Sequence, residues 1–249
     1  AFCDNTLQKV KRAAPGGEGF VLDHFSHGAL KQYLSRFDTA FRDNSHGIRN
    51  LFNDSYEVYY ANWTPLFFEE FEHRRGYDLK KYLRELAGGG DTEVMARIKS
   101  DYRETISDLL LENFTKQWTQ WAHQNKMSTR SQAHGSPANL LDLYAAVDIP
   151  EIETFGSTYF PIHGLWYDSS FLRKADHNPL FLKFASSAAN VTGKKLISCE
   201  TFTWLGEHFR VPLSRCKAEV EQVFLAGINH VFYHGTTYSP AEAPWPGWL

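Results

Sequence analysis

The sequence predicts an α/β fold of the (β/α)8 barrel type, and three observations carry that expectation. Apolar runs of strand length alternate with longer amphipathic stretches, the pattern of repeated βα units rather than of a sandwich. The 249 residues are 43% hydrophobic and 15% aromatic, enough for one large core, and such barrels run to about 250 residues. Three of the apolar runs end in glutamates among small polar residues: at Glu57, at Glu151 and Glu153, and at Glu200.

GFVLD at 19–23 reads as the first strand, with Asp23 at its end. Ser26 is placed to cap a helix running to Phe41, because Leu30, Tyr33, Leu34, Phe37 and Phe41 recur at three- and four-residue spacings. IRNLFN at 48–53 is the second strand. Thr64 and Pro65 supply an N-cap and first helical position for a helix ending near Gly76; a short helix from Tyr77 to Leu86 follows, up to the break at Gly88 to Gly90. Thr92 to Gln124 is one long helical stretch in which Ile98, Tyr102, Ile106, Leu109, Leu110 and Phe114 keep helical spacing. Strands at 127–133, 148–153, 195–200 and 230–235 then alternate with helices at 137–145, 179–191 and 212–226. That makes six βα units of the eight a closed barrel needs. The segment 160–178, rich in His, Tyr, Trp and Asp, is expected to form a long loop on the active rim.

A formal net charge of -3 with scattered Lys and Arg gives no basic stripe, so nucleic acid is not an expected partner. Cys3, Cys199 and Cys216 sit at unrelated spacings and suggest neither a disulfide framework nor a zinc pattern. No apolar run reaches the 18 or so residues of a membrane span, and the first residues lack the apolar region of a signal peptide. The chain begins without Met and stops in PAEAPWPGWL, and is expected to be a piece of something longer. Asn-x-Ser/Thr sequons occur at Asn53, Asn62, Asn113 and Asn190; a glycan on Asn53 would be incompatible with a site there.

Carboxylates at the ends of successive buried strands point to acetal hydrolysis, which needs one group to protonate the leaving oxygen and a second carboxylate on the opposite face. Glu57 and Glu200 are the expected pair. Glu57 follows the polar cluster Asn53, Asp54, Ser55 and Tyr56, where the strand reaches the rim, although a solvated loop charge would look similar. Glu200 follows an apolar run and precedes Thr201, Phe202 and Trp204, an unusual neighbourhood for a surface glutamate. Glu151 and Glu153 lie two apart on a strand and face one side of it. Two such carboxylates call either for a bound cation, calcium rather than zinc, or for Arg or Lys beside them. His134, His163, His230 and His234 raise the alternative of a zinc-dependent barrel hydrolase, but no HxH or HExxH spacing supports it, and no GxSxG elbow supports a serine hydrolase. Asp23, Asn53, Asp54, Gln132, His134 and His234 are placed to hold sugar hydroxyls.

Read together, TLQKVKRAAPGGEGFVLDHF, NDSYE followed by NWTP and RRGYDL, SQAHGSPANLLDLY, DIPEIETFG, SCETFTW and GINHVFYHG resemble the catalytic region of family 106 glycoside hydrolases, which are α-L-rhamnosidases. The resemblance covers essentially the whole chain in order. It implies a (β/α)8 barrel, terminal α-L-rhamnosides of plant or microbial origin as substrates, an inverting mechanism, a calcium ion in the active site and a secreted or periplasmic location. It further implies Glu57 as general acid and Glu200 as general base, their carboxyls ~6.5 to 9.5 Å apart to admit a water. Trp204, Trp166 and Tyr167 become candidates for the apolar wall around the deoxy-sugar methyl. Members of that family are much longer, so residues 1–249 are expected to be a single, incomplete barrel domain, with the first strands and later β-rich domains outside it. A barrel that binds carbohydrate without cleaving it is the remaining alternative.

Overall fold

Parallel strands that pair in the order of the chain organise the molecule, seen in a computed structural model that describes residues 5–41, 47–172, 179–206, 210–235 and 239–245. Strands β1 (Asn50–Asn53), β2 (Ser128–Gln132), β3 (Ile149–Phe155), β4 (Ser198–Thr203) and β5 (His230–Tyr233) form one five-stranded sheet in that order, every neighbouring pair parallel. Helix α1 (His27–Phe41) precedes β1. Between β1 and β2 lie α2 (Phe67–Arg75), a 3-10 turn (Leu79–Tyr82), α3 (Leu83–Leu86), α4 (Thr92–Leu110), a π turn (Leu111–Lys116) and α5 (Gln117–Gln124). Single helices α6 (Leu140–Ala145), α7 (Pro179–Thr192) and α8 (Leu213–Leu225) make the later crossovers. A strand order that never reverses is the winding of a barrel arc, not of a doubly wound sheet.

The sheet has five strands among the described residues, not the six expected, because 19–23 does not join it. Phe20 instead bridges Lys9 in antiparallel fashion, with Val10 N–H donating to Gly19 and Val21 N–H to Gln8, both at 3.0 Å. The chain reverses tightly before it, at Gly16 (φ 82) and Gly17, whose N–H reaches Ala14 O at 2.8 Å. The apolar run therefore finds its partner in the segment just upstream. Thr64 also departs from expectation: its hydroxyl donates to Asp23 Oδ2 at 2.8 Å, and α2 begins at Phe67 without a side-chain cap. Ser26 does cap α1, accepting from Ala29 N–H at 3.3 Å, and Gly76 ends α2 in the left-handed region at φ 79.

Strand periodicity divides the sheet into two chemically distinct faces. Thr129, Ile152 and Cys199 are fully buried. Ile152 and Cys199 join the main core with Ala185 and Ala189 of α7 and Val223 of α8, while Thr129 meets Thr119 of α5 at 3.3 Å. The alternate residues Arg130, Gln132, Glu151, Glu153, Ser198 and Glu200 line the other face, where Gln132 pairs Glu151 and Glu153 pairs Glu200 in register. β3 is buried on both faces although one of them carries Glu151 and Glu153.

The long connection from β1 to β2 packs through aromatics. Phe67 and Phe71 of α2 and Leu109 of α4 are fully buried, each contributing about 1.5–3 kcal/mol of hydrophobic stabilisation. Asp91 starts α4 by accepting from the N–H groups of Glu93 and Val94 at 2.9 and 3.1 Å, satisfying two of the helix's orphan donors. The Asp91→Ala variant is expected to lose about 1 kcal/mol of stability, read as a lowered thermal midpoint; an unchanged midpoint would show that α4 is held by packing alone.

Candidate active site

Glu151, in the middle of β3, is fully buried and spends both carboxylate oxygens on the protein. Arg130 Nη1 donates to Oε2 at 2.8 Å, Ser198 Oγ to Oε2 at 2.7 Å, and Gln132 Nε2 to Oε1 at 3.2 Å. The Arg130 guanidinium is itself stacked between the rings of Phe52 (4.1 Å) and Phe232 (3.5 Å), which shield it from water. Burial pushes the Glu151 carboxyl above its usual range, opposed by Ser198 and Arg130. The expected cation pair Glu151 and Glu153 is therefore corrected for Glu151: its compensating charge is an arginine. Glu153 turns to other partners, His134 Nε2 at 3.2 Å and the Thr203 hydroxyl at 2.7 Å.

Glu153 belongs instead to a cluster with Asp54 and Glu200, in which one carboxylate oxygen from each lies within 4.8 Å of the others. Asp54 follows β1, Glu153 comes from β3 and Glu200 from β4, so the pleat and register of three elements bring them to one end of the sheet. Glu200 accepts from Gln132 Nε2 at 2.7 Å, and His234 Nε2 stands 4.0 Å away. Burial and then the nearby Glu153 raise the Glu200 carboxyl above its ordinary value, with Gln132 pulling the other way. Gln132 Oε1 is buried with no hydrogen-bond partner among the described residues. The three carboxylates are an all-oxygen donor set, which suits a hard cation such as calcium and not zinc.

Glu57 stands apart from this cluster. Its side chain is half exposed, its Oε1 accepts from Lys11 Nζ at 3.1 Å, and Lys11 also donates to Tyr59 Oη at 2.7 Å. Gln8 clamps the same segment by donating to Glu57 O at 2.5 Å and accepting from Tyr59 N–H at 2.7 Å. Glu57 nevertheless lines, with Asn53, Asp54, Ser131 and Gln132, a cavity of about 260 Å³. The π turn after α4 supplies another wall: its wide spacing lets Leu110, Phe114 and Thr115 all face that cavity, where an unbroken α-helix was expected.

The remaining expected residues divide. Asn53 Nδ2 donates to Ser131 Oγ and Asp54 O, both at 3.1 Å, so its amide nitrogen is in use. His134 is buried against Phe155 and Phe181 with Nδ1 unpartnered among the described residues. Asp23 is a staple rather than a free hydroxyl holder: Oδ1 accepts from Phe25 N–H at 2.9 Å and Oδ2 from Thr64. Trp204 lies tilted against Phe155 at 5.7 Å, half exposed, and Trp166 and Tyr167 are exposed on the 160–172 loop. Cys3 and residues 173–178 of the expected loop lie outside the described residues. The histidines do not converge: the group suited to a metal among the described residues is all carboxylate, and the zinc-hydrolase alternative finds no ligand set there. Burial pushes the Cys199 thiol up to about 12, so it is no nucleophile.

Sequence reasoning missed Arg130, Ser198 and Thr203. Arg130 could have been found, because it precedes Gln132 and His134 at steps of two on a strand beside the one carrying Glu151.

A parallel βα arc on which Glu153 of β3 and Glu200 of β4 gather with Asp54, just past the end of β1, beside amides and histidines, is the architecture of a barrel-type glycoside hydrolase. The chain belongs to glycoside hydrolase family 106, described as alpha-L-rhamnosidase, whose sequence model matches residues 5–249. It is similar in structure to a rhamnosidase from Novosphingobium sp. PP1Y, with a TM-score of 0.74 and 25% identity over 92% of this chain and 22% of that one. It is 29% identical over 245 residues to a Formosa agariphila protein provisionally named beta-glucuronidase, a match covering 94% of this chain and 19% of the relative. The chain thus spans about a fifth of the length of either relative. No helix among the described residues is long and apolar enough to cross a membrane.

The SQAHGSP segment has a physical reason for its glycine. Gly135 sits at φ 80, and a Cβ there would come within 2.6 Å of Tyr56 O, where Tyr56 N–H donates to His134 O at 3.2 Å. This contact places the Asp54 to Glu57 segment on the rim. Gly135→Ala is expected to destabilise the protein by on the order of 2 kcal/mol and to displace that segment. A thermal midpoint equal to that of the unsubstituted protein would show the contact to be dispensable.

Proposed function

We propose that this chain carries the active site of an enzyme that hydrolyses terminal α-L-rhamnosyl linkages of plant or microbial glycosides with inversion. The observation that carries this reading is the meeting of Asp54, Glu153 and Glu200 beside the Glu57 cavity, in a chain of the α-L-rhamnosidase family. Glu57, half exposed and next to the cavity, would donate a proton to the glycosidic oxygen as the anomeric C–O bond breaks. Glu200 would take a proton from the water that attacks the anomeric carbon from the opposite face. Gln132 holds Glu200 by one oxygen and leaves the other toward His234. Asn53, Asp54, Gln132, His134 and His234 would hold sugar hydroxyls, with Trp204 beside the deoxy methyl. Asp54, Glu153 and Glu200 fit a calcium ion, which when bound would offset their repulsion and orient sugar hydroxyls. In the full-length protein the arc would continue into a (β/α)8 barrel, in a secreted or periplasmic enzyme.

The name of the Formosa agariphila relative favours a second reading, hydrolysis of a β-glucuronide. The electrostatics weigh against it. A uronate would bring a further carboxylate to a rim that already holds Asp54, Glu57, Glu153 and Glu200, with Lys11 bound to Glu57 and Arg130 to Glu151. A neutral deoxy sugar meets no such repulsion.

The test is hydrolysis of an aryl α-L-rhamnoside and an aryl β-glucuronide by the full-length protein, with and without a calcium chelator. Rhamnoside turnover is expected, reduced about 10²–10⁴-fold in Glu57→Gln and in Glu200→Gln and lowered by the chelator. Cleavage of the glucuronide alone would overturn the rhamnoside assignment. Rhamnoside binding without turnover would move the chain to a carbohydrate-binding role.

The raised Glu200 carboxyl adds a pH signature. A general base works only when ionised, so with the cation removed by chelator the acid limb of the residual kcat/KM should lie above the ordinary 4.5 of a glutamate, whereas bound calcium would draw it back down. Removing the neighbouring charge with Glu153→Gln lowers the Glu200 value and should shift that limb toward lower pH. A shift in the other direction, measured on the residual activity, would place the base elsewhere.

A further inference from the structure

Glu200 and Thr203 lie three residues apart on β4, so on a regular strand they would face opposite sides of the sheet. Both nevertheless meet Glu153. Glu200 joins it in the carboxylate cluster, and the Thr203 hydroxyl donates to Glu153 Oε1 at 2.7 Å. The register explains how. Glu153 pairs Glu200 and Phe155 pairs Thr203, so two steps along β3 are matched by three along β4. One extra residue in β4 resets the alternation, and bulges of this kind are uncommon between parallel strands. On its other edge β4 stays in step with β5, where Glu200 pairs Phe232 and Thr201 pairs Tyr233.

The bulge centres on Phe202, whose φ of 81 lies in the left-handed region. That conformation is uncommon for a bulky side chain and persists only where the surroundings impose it. Two contacts do so. The Phe202 N–H donates to the Thr154 hydroxyl at 2.9 Å, and the Phe202 ring stacks on Tyr233, with centroids 5.3 Å apart and planes at 2°. Thr154 is itself buried, between Glu153 and Phe155 in the chain. Past the bulge, Gly156 N–H donates to Thr203 O at 2.7 Å and locks the shifted register. Regular pairing would turn the Thr203 hydroxyl away and leave Glu153 held by His134 alone, at its other oxygen. A glutamate gripped at one oxygen can still turn about its broad terminal torsion; gripped at both, it keeps one orientation toward Glu200.

We infer that the β4 bulge is a positioning device for the candidate general base: Thr154 and Phe202 hold the left-handed backbone that carries the Thr203 hydroxyl to Glu153, and so fix the carboxylate that faces Glu200. Thr154 and Phe202 act through Thr203 and take no part in the bond changes themselves. This assignment rests on the glycosidase reading above.

The test is steady-state kinetics of the full-length protein on an aryl α-L-rhamnoside. Thr154→Val keeps the side chain's shape but removes the acceptor for Phe202 N–H; kcat is expected to fall about tenfold, more than KM changes, and Thr154→Ser should restore it. Adding Thr203→Val to Thr154→Val is expected to cost no further kcat, because both remove the same hold on Glu153. Phe202→Gly and Phe202→Ala both delete the stacked ring, but only glycine takes the left-handed backbone freely, so kcat of the alanine variant should lie about tenfold below that of the glycine variant. Losses that multiply in the double variant, or Thr154→Val matching the unsubstituted protein in kcat, overturn the assignment and leave the glycosidase reading intact. If Thr154→Val does not fold, the Phe202 variants decide, and equal kcat in the two overturns it. No turnover by the unsubstituted protein overturns that reading and this assignment with it.

Discussion

All five strands meet around one buried charge. Glu151 on β3 receives Arg130 and Gln132 from β2 and Ser198 from β4, and the arginine is stacked between Phe52 of β1 and Phe232 of β5. A carboxylate with no exposure would be costly alone, and removing one partner of a buried pair typically costs about 3–5 kcal/mol. The pair therefore constrains register: slipping any neighbouring strand by one residue would carry its contribution to the opposite face and strand a buried charge. The polar floor of the site rests on this arrangement, because Gln132 reaches Glu151 and Glu200 with the same amide nitrogen.

Above that floor the charges are unbalanced. Asp54, Glu153 and Glu200 crowd within 4.8 Å with no basic side chain among them, and the nearest titratable relief is His134 on Glu153 and His234 at 4.0 Å from Glu200. A fold selected for stability alone would neutralise such a cluster, as it does at Glu151. Two carboxylates that are two residues apart on one strand thus receive opposite treatment, one satisfied by an arginine and two further hydrogen-bond donors, the other left in like-charged company. Local violations of this kind mark the place where a structure trades stability for chemistry.

The same contrast explains what the sequence made legible. The strands at 48–53, 127–133, 148–153, 195–200 and 230–235 appear close to their expected positions, because helical and strand periodicity are local properties of apolar side chains. The run at 19–23 misled because it has strand composition, and only the upstream reversal at Gly16 and Gly17 decides that its partner is Lys9. Thr64 misled for a related reason: a hydroxyl in capping position can be claimed by a distant carboxylate, here that of Asp23. Partner choice between Glu151 and Glu153 lay beyond the reach of spacing. Both face the same way, and what separates them is which neighbour each finds across the sheet, Arg130 and Gln132 of β2 for one and His134 of the segment just after β2 for the other.

Those cross-strand partners also say which parts of the arc the site needs. β3 is buried along nearly its whole length, and Thr129, Ser198 and Thr201 beside it are fully buried, whereas β1 and β5 are half exposed. The cluster draws on β3 and β4 directly, and on Asp54 through the segment that Gly135 seats against Tyr56. Glu57 is held differently, by Gln8 and Lys11 of the N-terminal hairpin, an element outside the sheet. The two carboxylates of the proposed mechanism therefore stand on supports of unequal rigidity: Glu200 on a strand locked by the central ion pair, Glu57 on a loop gripped by side chains at the surface.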